Sequence, residues 1–161
     1  MSIDFKQLRE YVVRPVLEHL DPEIPYSLRA ENLILGTIAQ ESHGEYLHQL
    51  GRGPALGIIQ MEPATHDDIW ENFLRYNDSL SERVSALELP EWLGAHGAPE
   101  LIGNLYYATA MCRVHYWRKP GALPATVEGM ANYYKKWYNS FKGAATPKEF
   151  IENYRKYVEN T

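Results

Sequence analysis

Glu41 is the residue whose type and setting most invite a chemical reading. The run 28–41 reads Leu-Arg-Ala-Glu-Asn-Leu-Ile-Leu-Gly-Thr-Ile-Ala-Gln-Glu. It puts Ala30, Leu33, Ile34, Thr37, Ile38 and Glu41 at three- and four-residue steps, on one face of a helix. A carboxyl that continues an apolar stripe loses its water, and at the end of a helix it also meets the negative end of the dipole. Both effects disfavour the anion. A glutamic acid that keeps its proton near neutrality is equipped to be a general acid, and protonating the leaving oxygen of a glycosidic bond is work for such a group. Fraying at Gln40 would instead leave Glu41 a solvated surface residue.

The segment Gly57-Ile58-Ile59-Gln60-Met61-Glu62-Pro63-Ala64-Thr65 supplies what an acid alone lacks, a wall to face it. Leu50-Gly51-Arg52-Gly53-Pro54 is a turn by composition. Residues 55–61 are short, apolar and partly β-branched, which predicts an extended segment or hairpin before Pro63. Thr65 is expected to cap a helix at about 66–76, with Asp67 and Asp68 in its first turn and Ile69, Trp70, Phe73 and Leu74 inward. Gly57 would let backbone come close to a ligand. The Gln60 amide both donates and accepts, which suits sugar hydroxyls, though loop backbone could satisfy it equally well.

Glu41-Ser42 followed by Gly57-Ile58-Ile59-Gln60 and Pro63-Ala64-Thr65 resembles the soluble lytic transglycosylases and goose-type lysozymes. Their signature is a Glu-Ser pair, then Gly-Leu-Met-Gln-Ile-x-Pro-x-Thr. A third family element, Ala-Tyr-Asn, is matched loosely by Ala131-Asn132-Tyr133-Tyr134; if Tyr133 takes the tyrosine's place, Tyr134 replaces the asparagine. The resemblance covers roughly residues 28–138, and within the superfamily the chain looks most like small phage-encoded proteins.

The resemblance implies a mainly α, lysozyme-like domain with a cleft between two lobes and an extended or hairpin segment at the cleft. The implied substrate is peptidoglycan, the β-1,4-linked polymer of N-acetylmuramic acid and N-acetylglucosamine. Glu41 would be the catalytic acid. Ser42, Gly57, Gln60, Tyr133 and Tyr134 would bind substrate, with Tyr133 orienting the glutamate. In a transglycosylase Glu41 next acts as a base while the muramyl 6-hydroxyl closes onto C1; in a lysozyme water attacks, usually with a second carboxylate. Glu62, Asp67 and Asp68 are the candidates for that carboxylate. Glu62 interests most, because its position is often apolar in the family, whereas first-turn placement already explains the two aspartates. Glu45 would lie near Glu41 only if the helix continued past Gly44.

The rest of the chain bounds these readings. A 161-residue chain predicts one domain with a sizeable core, burying ~70% of its unfolded surface. The net charge of -5 argues against a nucleic-acid partner, and no run is apolar enough to insert in a membrane. The amphipathic N-terminus does not read as a signal peptide. A wall-degrading enzyme without one fits a phage protein, carried in the virion with other virion proteins or made in the host cytoplasm and released to the wall through a separate pore. The single cysteine, Cys112, forms no internal disulfide and falls on an apolar helix face with Leu101, Leu105, Ala108 and Tyr116. His43, His48, His66, Asp67 and Asp68 cluster in sequence without the spacing of a zinc helix, so no metal and no cofactor are expected. A non-enzymatic virion or assembly protein on the same scaffold is the reading from a different class.

The elements that must position these groups follow from caps and breakers. Asp4 to Leu20 is expected as a helix kinked at Pro15, with Asp21 to Pro25 as linker, so that 1–25 forms an N-terminal unit. Residues 77–99 read as loop with a short helix at 80–88. Pro99 opens a predicted helix to Lys119, 124–139 another, and Pro147 a last one to Val158. Ala145-Thr146-Pro147 marks 145–161 as a loosely packed appendage. Trp70, Trp92, Trp117, Tyr133, Tyr134, Trp137 and Tyr138 are the aromatic groups able to stack on a sugar.

Overall fold

The computed structural model describes residues 1–93, 96–139 and 143–161, and it is mainly helical. Its central element is α3 (Leu28–Ser42). Ser27, a residue type favoured at such a position, caps α3, accepting from Ala30 N at 3.1 Å. The helix ends on His43 in the left-handed conformation, with Gly44 also at positive φ. The expected stripe of Ala30, Leu33, Ile34, Thr37 and Ile38 is buried, and so are Leu35, Gly36 and Ala39 on the other sides. A helix apolar all round must be enclosed all round.

Neighbours supply that enclosure. The N-terminal segment is α1 (Phe5–Leu8), a wide π-helical turn (Arg9–Val13) and α2 (Arg14–Leu20). The wide turn precedes Pro15, which cannot donate to the helical ladder, so the interruption lies upstream of the proline itself. Glu31, fully buried on α3, joins this segment to the core. It accepts from Arg9 Nη1 at 2.9 Å, from Arg14 Nε at 2.8 Å and from the Tyr26 hydroxyl at 2.7 Å.

The predicted long helix from Pro99 to Lys119 is two helices, α6 (Glu100–Gly103) and α7 (Leu105–Trp117). Asn104 divides them. Its side-chain oxygen accepts from Tyr107 N at 3.0 Å, while its amide donates to Leu87 O and Glu100 Oε1, both at 2.7 Å. A short amide that offers the backbone such partners caps a helix better than it continues one. Cys112 lies wholly inside α7, as expected.

Two helix starts also differ from expectation. Helix α4 runs Pro63–Asn72, so Pro63 takes a first-turn position and Thr65 lies inside the helix instead of capping it. Helix α5 spans Asp78–Ser85, with short 3-10 turns at Leu74–Tyr76 and Glu91–Leu93; residues 94 and 95 of the predicted 77–99 loop lie outside the described residues.

Helix α8 (Val127–Tyr134) opens into a π-helical turn, Lys135–Asn139. Helix α9 (Pro147–Tyr157) starts from a capping box between Thr146 and Glu149. It is no loose appendage. It packs on α3 and α8, with Phe150 fully buried and Tyr154 and Val158 nearly so. Gly36 makes the approach possible, since a Cβ there would stand 2.5 Å from Phe150 Cζ.

Between α3 and α4 the chain makes the expected wall without forming a strand among the described residues. Leu56 bridges His48 on one side and Met61 on the other. Leu56 N donates to Met61 O at 2.9 Å and Met61 N returns to Leu56 O at 3.0 Å. Within the described residues no helix is long and apolar enough to cross a membrane.

Candidate active site

A cleft of about 720 Å³ opens between the end of α3, the wall at 46–62 and the π-helical turn after α8. Glu41, Gln60, Glu62, His115 and Tyr138 all line it. Glu41 is therefore neither fully buried nor a frayed surface group. Most of the carboxyl is enclosed, and the remainder faces the cleft. Its enclosure pushes the pKa up to about 7, partly opposed by a hydrogen bond from Tyr134. That bond is short, Tyr134 Oη to Glu41 Oε1 at 2.5 Å. The hydroxyl fixes the carboxyl's orientation and leaves its other oxygen to carry a transferable proton.

Tyr134, and not Tyr133, thus touches the glutamate. Consecutive helical residues point about a quarter-turn apart, so only one of the pair can face α3. Tyr134 is buried between α3 and α9, ring to ring with Phe150 at 5.1 Å. Tyr133 stacks on Tyr116 at 5.7 Å and lines a separate hollow with Lys136 and Trp137. The expectation that Tyr133 orients Glu41 is corrected accordingly.

Ser42 and Gly57 also have other work than substrate contact. Ser42 is 1% exposed, and its hydroxyl donates to Ile58 O at 2.6 Å. That bond ties the helix bearing Glu41 to the opposing wall. Gly57 has φ +76°, and a Cβ there would collide with the Leu101 carbonyl. The glycine lets the wall seat on α6, so its close approach is to protein rather than to ligand. Gln60 does line the cleft, with its amide nitrogen given to Gly57 O at 2.9 Å. That bond uses one of the two amide hydrogens and leaves the amide oxygen and the second hydrogen for other partners.

Of the three candidate partner carboxylates, only Glu62 lines the cleft. Asp67 accepts from His66 Nδ1 at 2.9 Å and borders a different hollow. Asp68 is bound to Arg118 Nη1 at 2.8 Å, which holds its carboxyl below the usual range, with a further bond from Asn72. Glu45 turns away to the N-terminal amine, 3.2 Å off. Among the described residues no three His, Cys, Asp or Glu side chains converge in a way that would hold a metal ion.

The structure adds two cleft groups to those singled out for chemistry in the sequence. Tyr138, there only one of several aromatic candidates, donates to Ile59 O at 2.7 Å and stacks on Tyr134 at 5.9 Å. It braces the wall at the residue next to the one that Ser42 holds. His115 is 7% exposed and lines the cleft, with its pKa pushed down to about 3 by burial and by the charges of Lys119 and Arg118. Nothing local in the sequence marks His115, because its position depends on α7 passing behind the turn after α8. Trp70 borders another hollow, and Trp92 and Trp117 are surface residues. No protein-family model, curated protein or solved structure matches the chain.

Proposed function

We propose that this protein cleaves the β-1,4 bond between N-acetylmuramic acid and N-acetylglucosamine in peptidoglycan, with Glu41 as general acid. One observation carries the reading: a carboxyl that holds its proton up to about pH 7 at the wall of a cleft, oriented by Tyr134. The Glu-Ser and Gly-Ile-Ile-Gln resemblance supports it, as does a groove with room for several sugar units. The lysozyme-like fold is part of the same proposal.

The chemistry follows from the proton. Glu41 passes it to the departing glycosidic oxygen as the C1–O bond breaks. The resulting carboxylate then takes the proton of the incoming hydroxyl as the new bond to C1 forms. In a transglycosylase that hydroxyl is the muramyl 6-hydroxyl, giving a 1,6-anhydro sugar; in a lysozyme it is water. We favour the first, because two of the three candidate partners, Asp67 and Asp68, are turned to other tasks. An internal hydroxyl already held in place needs no residue to position it. Glu62 is the group that would favour water.

Zymography of purified protein on peptidoglycan, with Glu41→Gln as control, tests the assignment. Cleavage should fall by at least ~100-fold, because the amide keeps the shape without the acidic proton. Near-normal cleavage by the folded variant removes Glu41 from the mechanism. An inactive wild type favours a virion or assembly role instead. Mass spectrometry then separates the products, since the anhydro sugar lacks one water; reducing-end muramic acid alone would show hydrolysis and make Glu62→Gln the next variant.

A further inference from the structure

The hollow lined by Tyr133, Lys136 and Trp137 carries charge of the opposite sign to the chain as a whole. It measures about 420 Å³, and Pro120 and Pro124 form part of its rim. Among the described residues no Asp or Glu lines it, in a chain of net charge -5. Glu128, next to the lining Gly129, pairs instead with Arg155 at 3.8 Å. Cations gather at one aromatic ring. Lys136 Nζ stands 4.6 Å from the Trp137 ring centre and Lys119 Nζ 5.7 Å. Two ammoniums that share a ring repel each other, and an anion beside them offsets the repulsion. Burial and the charge of Arg118 push the Lys119 pKa down, with Asp68 opposing.

Arg113 adds to the same field without lining the hollow. It is 4% exposed, its Nε and Nη1 have no partner among the described residues, and burial pushes its pKa down to about 10. Its charge acts on the Tyr133 hydroxyl, which is also enclosed without a partner. The Trp117 ring, 5.4 Å away, offsets part of the cost of that enclosed cation. A nearby anion would offset more. The hollow also adjoins the cleft. Lys136 and Trp137 line the one, Tyr138 and Asn139 the other, so the π-helical turn after α8 is the partition between them. A three-residue peptide spans about 10 Å, the width of a helix.

We infer that this hollow is a second binding site, for a carboxylate of the peptide branch that muramic acid carries in peptidoglycan. Lys119 and Lys136 bind the carboxylate, and Trp137 is the ring it rests against. The identity of the ligand rests on the peptidoglycan reading of the cleft. A glycan held there sends its branch across the turn, so the hollow selects strands whose peptides end in free acids.

NMR titration of the intact wild-type protein tests this, using N-acetylmuramyl-alanyl-glutamate against its diamide. Neither probe has a glycosidic bond for Glu41 to break. The acid should bind about tenfold more tightly than the diamide, as two partly exposed ion pairs allow. It should shift the Trp137 indole resonance, identified by its loss in Trp137→Phe, and high salt should remove most of the preference. The double variant Lys119→Gln/Lys136→Gln should bind acid and diamide alike. Should that variant fail to fold, Lys136→Gln alone, at an exposed position, should lose about half of the preference on a logarithmic scale. Equal affinity of the wild type for the two probes, binding of neither, a preference that survives loss of the lysines, or shifts confined to Gln60 and other cleft groups overturns the inference. The two readings fail separately. An acid preference in a protein inactive by zymography keeps the carboxylate site and removes the cleavage, whereas cleavage without an acid preference keeps Glu41 and removes the site.

Discussion

At the scale of single residues the site depends on a balance at Glu41. Desolvation raises its pKa, and the Tyr134 hydrogen bond pulls it back, because a donor stabilises the anion more than the acid. Tyr134→Phe should therefore move the alkaline limb of the pH–rate profile upward from about 7. It should also lower the maximal rate by about tenfold, the usual worth of one orienting hydrogen bond. Measuring cleavage of soluble peptidoglycan fragments across pH distinguishes the roles. A variant with a lower rate but an unmoved limb would mean that Tyr134 only packs. Tyr133→Phe, at a ring that stacks on Tyr116 and does not touch Glu41, should leave both quantities alone. Ser42 and Gly57 belong to this scale too: they match a signature associated with substrate, yet Ser42 ties the acid-bearing helix to its facing wall and Gly57 seats that wall on α6.

At the scale of elements the end of α3 is held in place by α9. Phe150 lies over Gly36, and Tyr157 stacks on His43, the residue that terminates α3, with ring centroids 5.6 Å apart. Gly→Ala inside a helix ordinarily stabilises by about 1 kcal/mol. Gly36→Ala should do the reverse here, costing roughly 1–3 kcal/mol because Phe150 must be displaced. Urea denaturation measures this directly. An unchanged or higher midpoint would show that α9 is not seated as described. The α3 boundaries, its cap and its buried stripe were legible in the sequence because each depends on neighbours within one turn. The break at Asn104 was not, since an asparagine in a helical pattern becomes a cap only when Leu87 and Glu100 come close enough to hold its amide. The firm docking of α9 was equally hidden, because the Ala145-Thr146-Pro147 segment that introduces it describes the connection and not the contact.

At the scale of the molecule two buried carboxyls set opposite pH limits. Glu31 is desolvated, yet hydrogen bonds from Arg14, Tyr26 and Arg9 hold it below the ordinary carboxyl value of 4.5. Its contribution is present above that value and is lost as pH falls through the lowered one. Glu41 is the reverse. Its folded pKa lies above 4.5, so its contribution is complete below 4.5 and disappears as pH rises through about 7. Stability should thus be greatest in mildly acidic solution, near pH 5. Glu41→Gln should flatten the alkaline side, gaining up to about 3 kcal/mol over wild type at pH 8 and nothing at pH 4. Glu31→Gln should cost about 3–5 kcal/mol near neutrality, because it strands buried Arg9. Thermal unfolding of the three proteins from pH 4 to 8 checks both signs, and a steeper alkaline decline in Glu41→Gln would refute the enclosure of Glu41.

The sequence by itself determined that a protonatable glutamate ends an apolar helix and that a short turn-rich wall follows it. It also determined that the chain is largely helical, with Ser27 and Asp4 starting helices. These are consequences of periodicity, dipoles and caps, all of which act over a few residues. Only the tertiary structure decided which of two adjacent tyrosines reaches Glu41, which of three carboxylates shares its cleft, and that His115 stands there as well. Those outcomes depend on which face of α8, α4 and α7 meets α3 and its facing wall. A rotation of one residue, about 100° about a helix axis, exchanges a group in the cleft for one in the core or in solvent.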